Sequence, residues 1–359
     1  MTEAPERTST TPLPAPAPDS TALLVRARSR NRRRTTACLA LVAGLAVILF
    51  ACNVLLGSYT VTVPDFFRIL GGADIPGARF IVLESKLPRT VIGLLIGVAF
   101  GIAGAVFQTM LRNPLASPDV IGISYGASAS AVTAIVLFGA AGVGVSVAAL
   151  IGGLVVAAAI YLISRRGGVA GYRLILVGIG FGAVLHALVS FLITRTDLRT
   201  ASQAVLWLNG SLNSSTWDRV TVLVAALVVL LPAIALLART LHGLELGDDA
   251  AAGLGLRVEA SRLGLLSTAV ALAAFATAAA GPVASVAFLS GPIARRILGR
   301  PSLMLAGWVG AVIVLGADFV ASNLVPGTSL PVGVVTGALG APFLLWLLAT
   351  ANRSGQGGG

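Results

Sequence analysis

The sequence predicts an all-α polytopic membrane protein with about ten transmembrane helices. Hydrophobic residues make up 56% of the 359 residues and charged residues only 11%, whereas an ordinary soluble domain is about 25% charged. Apolar runs of spanning length, roughly 20 residues, recur along the whole chain. Because backbone polar groups in hydrocarbon must be paired within the chain, such runs indicate helices, and they are too uniformly apolar for barrel strands.

Ten apolar segments are the predicted spans, with both chain ends on the cytoplasmic side. On this layout 18 of the 25 Lys and Arg residues fall in cytoplasmic segments, which is the bias that orients membrane proteins. The eighth span is short and follows the break Gly281-Pro282, and interrupted spans tend to lie near transport pathways. The ten segments are Thr36–Leu56, Leu87–Leu111, Val120–Phe138, Val143–Ile163, Leu174–Thr194, Val220–Ala238, Leu263–Ala280, Val283–Ile297, Leu303–Ala321 and Pro331–Thr350.

The composition predicts one domain between two tails. Residues 1–35 are rich in Thr, Ser, Pro and Ala and end in a run of arginines, which predicts a disordered basic tail in the cytoplasm. Beside a membrane span such a run favours the cytoplasmic membrane surface over nucleic acid. Residues 36–351 form the ten-helix domain, with a cytoplasmic loop at 240–262, and residues 352–359 form a flexible C-terminal tail.

The loop contains a stretch with the pattern of a short helix, Leu244–Val258. Asp248 and Asp249 favour its N-terminal end because acids stabilise the positive end of the helix dipole, and Gly253 or Gly255 suits its C-terminal end. The apolar stripe of this helix has no core of its own, so it must cover the membrane surface, the rest of the chain or a groove on another protein. An ordinary loop helix is the alternative. The stripe comprises Leu244, Leu246, Ala251, Leu254 and Leu256.

Enzymatic and metal chemistry have no support in the sequence. A phosphate-binding loop of the G-x-x-x-x-G-K-[ST] type needs a lysine, and the only lysine, Lys86, precedes Leu87-Pro88 on the outer side. An ATPase would therefore be a separate subunit. No nucleophile–base pair shares a loop, and His186 and His242 are the only histidines. We therefore expect no catalytic residue, no metal site and no cofactor.

A self-contained ion-coupled secondary transporter is the alternative class. Such a protein carries ionisable residues deep in its spans, and only Asp318 and His186 qualify here. Asp318 lies near the outer end of its span, where Ser322 or Asn323 could solvate it. Two isolated groups would make a thin proton relay, so this alternative is the weaker one.

Three stretches resemble the FecCD-type permeases of ABC importers for ferric siderophores, haem and vitamin B12. Residues 86–128, which read KLPRTVIGLLIGVAFGIAGAVFQTMLRNPLASPDVIGISYGAS, are similar to the family's second helix and following loop. Residues 244–258 are similar to its coupling segment, and residues 330–343 to its last-helix signature. The residues at Ala280–Ala284 and Ile293–Arg296 resemble the ferric-siderophore branch of the family more than the vitamin B12 branch.

The resemblance implies a vitamin B12 permease-like ABC importer fold and a permease that carries ferric siderophore across the cytoplasmic membrane. It implies two ABC ATPase subunits, an extracytoplasmic siderophore-binding protein and a second permease subunit in a homo- or heterodimer. Membrane lipid is the remaining expected partner, and nucleic acid is not expected. Haem or vitamin B12 stays open as the alternative cargo.

The resemblance also implies three groups of functional residues. Lys86 and Arg89 lie at the N-terminal end of the second span, where the helix dipole disfavours cations; docking of acidic residues on the binding protein is expected, with headgroup anchoring as the alternative. For the translocation path, small polar residues near the outer mouth are candidates, with local helix capping as the alternative: Ser190, Thr194, Ser322, Asn323 and Ser329. The residues expected to couple to the ATPase are Leu244, Leu246, Gly247, Asp248, Ala251, Leu254 and Gly255.

Overall fold

The structure, a computed structural model, describes residues 20–57, 59–73, 75–164, 171–323 and 330–355, and over these ranges every regular element is helical. A π-helical turn, Ile81–Lys86, joins the third helix to the fourth, and a 3-10 turn, Pro118–Ile121, precedes the fifth. The helices are α1 (Ser20–Leu55), α2 (Val63–Leu70), α3 (Ala78–Phe80), α4 (Leu87–Met110), α5 (Ile123–Phe138), α6 (Val143–Ser164), α7 (Gly171–Thr194), α8 (Leu198–Leu208), α9 (Trp217–Glu245), α10 (Asp248–Gly253), α11 (Val258–Ala280), α12 (Val286–Leu298), α13 (Leu303–Asn323) and α14 (Val332–Gly355).

Each of the ten predicted spans corresponds to one of these helices. Seven helices in the described part of the chain are long and apolar enough to cross a membrane. The apolar parts of α5 and α14 are shorter, and α12 has only 13 residues. The break at Gly281-Pro282 therefore shortens the eighth span, as the sequence predicts.

The first helix begins earlier than the sequence suggests. It starts at Ser20, ahead of the predicted boundary at residue 36, so the arginines from Arg26 to Arg34 lie on helical backbone. Arginine and alanine are good helix formers, and α1 contains no proline, so nothing stops the helix at the start of the apolar run. The rest of the predicted tails, residues 1–19 and 356–359, lies outside the described residues.

Helix α4 is the centre of the bundle and packs against α9, α11, α12 and α13. A Cβ added to Gly97 would lie 2.6 Å from the carbonyl oxygen of Gly310 on α13. At Gly104 it would overlap the backbone of Ala287 on α12. These glycines let helix backbones touch directly, the usual means of tight packing between transmembrane helices.

Three contacts define the two ends of the bundle. The Arg112 Nη2 atom, just after α4, donates to the Leu244 carbonyl near the end of α9. At the other end, Trp217 at the start of α9 donates to the Leu83 carbonyl just before α4, and Arg89 pairs with Asp318 near the end of α13. We call these the α10 end and the α2 end.

Candidate functional site

Helix α10 is the short helix that the loop sequence predicts. Gly247, with φ of 114°, turns the chain after α9, and Asp248 and Asp249 occupy the first turn of α10. Gly255, with φ of 80°, follows the helix end in the left-handed region that favours glycine. Its N–H group donates to the Ala252 carbonyl at 2.9 Å, so the C-terminal turn closes as expected.

Charged contacts fasten α10 to the bundle. The Arg262 Nη2 atom on α11 donates to both carboxylate oxygens of Asp248, at 3.1 and 3.2 Å. Arg112 lies 3.9 Å from the same carboxylate and donates to the Leu244 carbonyl at 2.7 Å. Arg112 has a φ of 50°, uncommon for a residue with a side chain. Asp248 therefore links α10 to the segment after α4 and to α11.

The apolar residues around α10 do not form the single stripe expected from the sequence. Leu244 and Ala251 are buried and pack against the bundle, whereas Leu246 is 67% exposed and Leu254 is 65% exposed. The first pair fixes the helix in place. The second pair gives α10 an apolar surface that no described residue covers, and this surface can enter a groove on a partner.

Lys86 is bound within the chain. Its Nζ atom donates to the carbonyl oxygens of Val54, Leu56 and Tyr59 at 3.1, 2.7 and 2.6 Å. These carbonyls lie at and just beyond the end of α1, where a helix leaves acceptors unpaired. Lys86 thus caps α1 at the α2 end with all three of its donors, while no acid in these contacts neutralises its charge.

Arg89 forms a buried ion pair with Asp318, whose side chain is only 1% exposed. Its Nε atom donates to both carboxylate oxygens at 3.1 and 3.0 Å. The guanidinium also donates to Asn213 and to Ser322, at 2.7 and 2.8 Å. Arg89, a cation at the N-terminal end of α4, thus has a structural partner in Asp318, which is close in space but far away in sequence. Docking by Lys86 and Arg89 stays a prediction.

A cavity of about 870 Å³ lies between α5, α7 and the segment 282–285. It extends from the middle of the bundle towards the α10 end, where α5 begins. Ser285 starts α12 with a φ of 67°, and a Cβ on Gly340 of α14 would overlap its side chain. Strained backbone of this kind clusters at functional sites. The polar lining residues are Asp119, Ser124, Tyr125, Ser128, His186 and Ser285.

Asp119 lies just before α5, where the cavity approaches the α10 end. Burial raises the pKa of the Asp119 carboxyl, and a hydrogen bond donated by the Ser124 hydroxyl acts in the opposite direction. Burial disfavours the charged form of an acid. Asp119 therefore holds its proton to a higher pH than an exposed carboxyl would.

The path residues predicted from the sequence lie elsewhere. Thr194 donates to the Phe191 carbonyl at 2.9 Å, Asn323 donates to the Phe319 carbonyl at 2.7 Å, and Ser322 accepts from Arg89. Ser190 is exposed on α7. None of these four residues lines the cavity, and Ser329 lies outside the described residues.

Of the polar cavity residues, only His186 is singled out by the sequence as a group inside a span, although one further signal points to the region of the others. The Gly281-Pro282 break, which the sequence associates with a pathway, leads directly to Ser285 in the cavity wall. The hydroxyls of Tyr125 and Ser128 lie in the stretch that carries the family resemblance, but the sequence alone does not say which face of α5 they occupy.

A helical bundle with membrane-spanning helices, a cavity between its helices, a tethered end helix and no phosphate-binding loop is organised as a transport permease. The chain belongs to the FecCD transport family, which it matches over residues 45–350. The resemblance predicted from residues 86–128 and the predicted all-helical fold are thereby confirmed.

Curated relatives and a solved structure agree with this assignment. The chain is 42% identical to the ferric enterobactin transport system permease protein FepG of Escherichia coli (strain K12), over 83% of this chain and 91% of that protein. It is 37% identical to the achromobactin transport system permease protein CbrC of Dickeya dadantii (strain 3937), over 86% and 90%. A transporter described as being of the metal-chelate ABC type, in an inward-facing conformation, superposes with a TM-score of 0.77 at 26% identity, over 87% and 98%.

Proposed function

We propose that this chain is the membrane-spanning permease subunit of an ABC importer that carries ferric siderophores across the cytoplasmic membrane, with both chain ends in the cytoplasm. Relatives named for ferric enterobactin and achromobactin transport support the cargo. The observation that carries the mechanism is α10 with its flanking leucines. Leu246 just before the helix and Leu254 just after it are exposed, while Asp248 binds the helix to α11.

Energy enters through α10 in this proposal. Two separate ATPase subunits hydrolyse ATP, because the only lysine of the chain caps α1 and is not in a phosphate-binding loop. The exposed leucines insert into a groove on the ATPase. Closure of the ATPase dimer displaces α10, and the contacts of Asp248 with Arg112 and Arg262 transmit the displacement to α4 and α11. Such displacements of packed helices are a known form of transport switching.

The cavity between α5 and α7 is proposed as one half of the translocation path, which a second permease subunit completes. Hydroxyl groups and an imidazole line it, and Asp119 is the one acid among the lining residues described. A lining with this single acid and several hydroxyl groups suits a bulky anionic chelate. The original path candidates, Ser190, Thr194, Ser322 and Asn323, would then belong to the mouth at the α2 end.

The α2 end faces the extracytoplasmic siderophore-binding protein in this proposal. The contacts of Lys86 are neutral carbonyls, which do not pair its charge, whereas Asp318 neutralises Arg89. Electrostatic attraction of acidic residues on the binding protein therefore falls mainly to Lys86. Arg89 orients this end of α4 through its ion pair.

The test is uptake of radiolabelled iron into vesicles that contain the permease, with ATPase subunits and a loaded binding protein added. Leu254→Asp places a charge on the apolar surface of α10, and uptake should fall at least tenfold while the protein stays folded. Leu198→Asp, at an 85% exposed leucine at the start of α8, is the matched control and should retain uptake.

Two outcomes would contradict the proposal. Wild-type uptake by the Leu254→Asp variant would make α10 an ordinary loop helix. Accumulation by the permease alone on an ion gradient, with no ATPase present, would make the chain a secondary transporter. Competition with haem and vitamin B12 in the same vesicles tests the cargo, and only ferric siderophores should compete.

A further inference from the structure

Two distant parts of the chain bring arginines together at the α10 end of the bundle. The Arg34 Nη2 atom on α1 approaches the Ile297 carbonyl at the end of α12, at 3.4 Å. Arg300, just beyond α12, donates to the Thr35 hydroxyl at 3.2 Å. We call these two arginines and the arginines beside them on α1 and at the end of α12 the arginine cluster. Its members are Arg30, Arg32, Arg33, Arg34, Arg295, Arg296 and Arg300.

No acid neutralises this cluster among the described residues. The ion pairs of the described residues all lie elsewhere: they join Arg68 to Asp65, Arg89 to Asp318, and Arg112 and Arg262 to Asp248. Arg34 and Arg300 instead contact neutral groups, the Ile297 carbonyl and the Thr35 hydroxyl. Clustered positive charges that no acid pairs attract anions, and the attraction is strongest for an anion that is held next to the cluster.

The position of α1 sets the depth of the cluster. Side chains in its apolar part are largely exposed on the outside of the bundle, for example Leu41 at 70% and Val47 at 63%, so this helix faces the lipid. Arg34 precedes Leu41 by about 10 Å along the axis at 1.5 Å per residue. This offset places the guanidinium groups at the level of the lipid headgroups, where long cationic side chains reach the interface.

A cavity of about 450 Å³ adjoins the cluster between α4, α12 and α14. Arg295 and Arg296 lie at its polar side, and Phe343, Trp346 and Leu347 supply an apolar wall. The Arg296 guanidinium stacks over the Trp346 ring at 4.8 Å from the centroid, a cation–π contact. Cations beside an apolar wall match a phosphate group joined to an acyl chain.

We propose that the arginine cluster and this cavity form a binding site for an anionic phospholipid. The phosphate lies among Arg34, Arg295 and Arg296, and the first part of an acyl chain packs against Trp346. The ATPase is the less suitable occupant, because α1 lies at the lipid-facing edge of the bundle whereas α10 packs on α9 and α11. The site does not depend on the cargo proposed above.

The experiment uses the purified full chain in detergent. Phosphatidylglycerol and phosphatidylcholine with the same acyl chains are added separately, and bound lipid is counted by native mass spectrometry while the unfolding midpoint is recorded. Phosphatidylglycerol should remain bound and raise the midpoint, and phosphatidylcholine should do neither. The double variant Arg295→Gln, Arg296→Gln should lose at least fivefold in phosphatidylglycerol binding. The matched control, Arg239→Gln with Arg257→Gln, removes the same charge from exposed positions at the same end and should bind like the wild type.

Other outcomes would overturn the site. Equal binding of the two lipids, or equal loss in the control, would leave only general charge attraction. Protection by inorganic phosphate alone at the same concentration would mean a free anion site. Displacement of the lipid by added ATPase subunits would assign the cluster to that partner. If the double variant unfolds, Arg30→Gln with Arg33→Gln on the periphery supplies the second test, and unchanged binding there would also count against the site.

Discussion

Replacement of Asp248 by asparagine tests whether α10 is a lever that must be held by charge. The change keeps the side-chain shape and removes the ion pairs with Arg262 at 3.1 Å and Arg112 at 3.9 Å. Asp248 is half exposed, and exposed pairs contribute about 0.2–1 kcal/mol each. The tether therefore weakens by at most about 2 kcal/mol, which lowers the ratio of tethered to untethered α10 by up to about 30-fold.

The assay separates coupling from folding. Uptake and ATP hydrolysis are measured in the same vesicles, and the expected result for Asp248→Asn is a several-fold fall in iron transported per ATP, with the unfolding midpoint nearly unchanged. Asp249→Asn is the matched control, because the neighbouring acid is exposed and has no ion pair among the described residues. Arg262→Gln removes the same contact from the other side and should likewise lower the iron transported per ATP.

The reasoning is refuted if Asp248→Asn and Asp249→Asn transport the same amount of iron per ATP. It is also refuted if Asp248→Asn and Arg262→Gln have additive effects, because two residues acting through one contact must show coupling in a double-mutant cycle.

Three further predictions follow from the packing and charges. Asp318→Asn and Arg89→Gln should each lower the unfolding midpoint, because breaking a buried pair costs about 3–5 kcal/mol; if Arg89 also docks the binding protein, only Arg89→Gln should weaken affinity measured below the melting temperature. Gly104→Ala should cost about 1–3 kcal/mol or more, because the new Cβ overlaps backbone, whereas at Gly93 it meets a leucine methyl at 3.2 Å and should be tolerated in the same assay. Because burial raises the pKa of Asp119 above its ordinary 3.8, the unfolded chain releases this proton at a lower pH than the folded chain does. The stability of the fold therefore falls as pH rises through this interval, and Asp119→Asn should remove the fall. Unfolding midpoints measured between about pH 4 and pH 7 check this.

The short helix α10 was predictable because its determinants are local. Acids at its start and glycines at its turns act within a few residues, and the helix begins at Asp248 as expected. The division of its apolar residues was not predictable. Leu244 and Ala251 are buried, whereas Leu246 and Leu254 are exposed, and that depends on where the bundle surface lies.

The partners of the cationic residues at the start of α4 could not be predicted from the sequence either. Arg89 and Asp318 are far apart along the chain, and only the contact between α4 and α13 brings them together. The same holds for the cavity, whose lining combines α5, α7 and the segment 282–285. Spans follow from the lengths of apolar runs, but a site made by three elements follows from their packing.

Helix α4 gives a physical reason why a small helix at one end can affect the other. At one end it carries Arg89, which binds Asp318 on α13; just beyond the other end, Arg112 contacts Asp248 at α10. Between them Gly97 and Gly104 place its backbone directly against α13 and α12. A close-packed interface does not deform gradually. In the proposed mechanism, displacement of α10 therefore moves α4 together with its neighbours, or slides it to a new register, and either motion reaches Arg89.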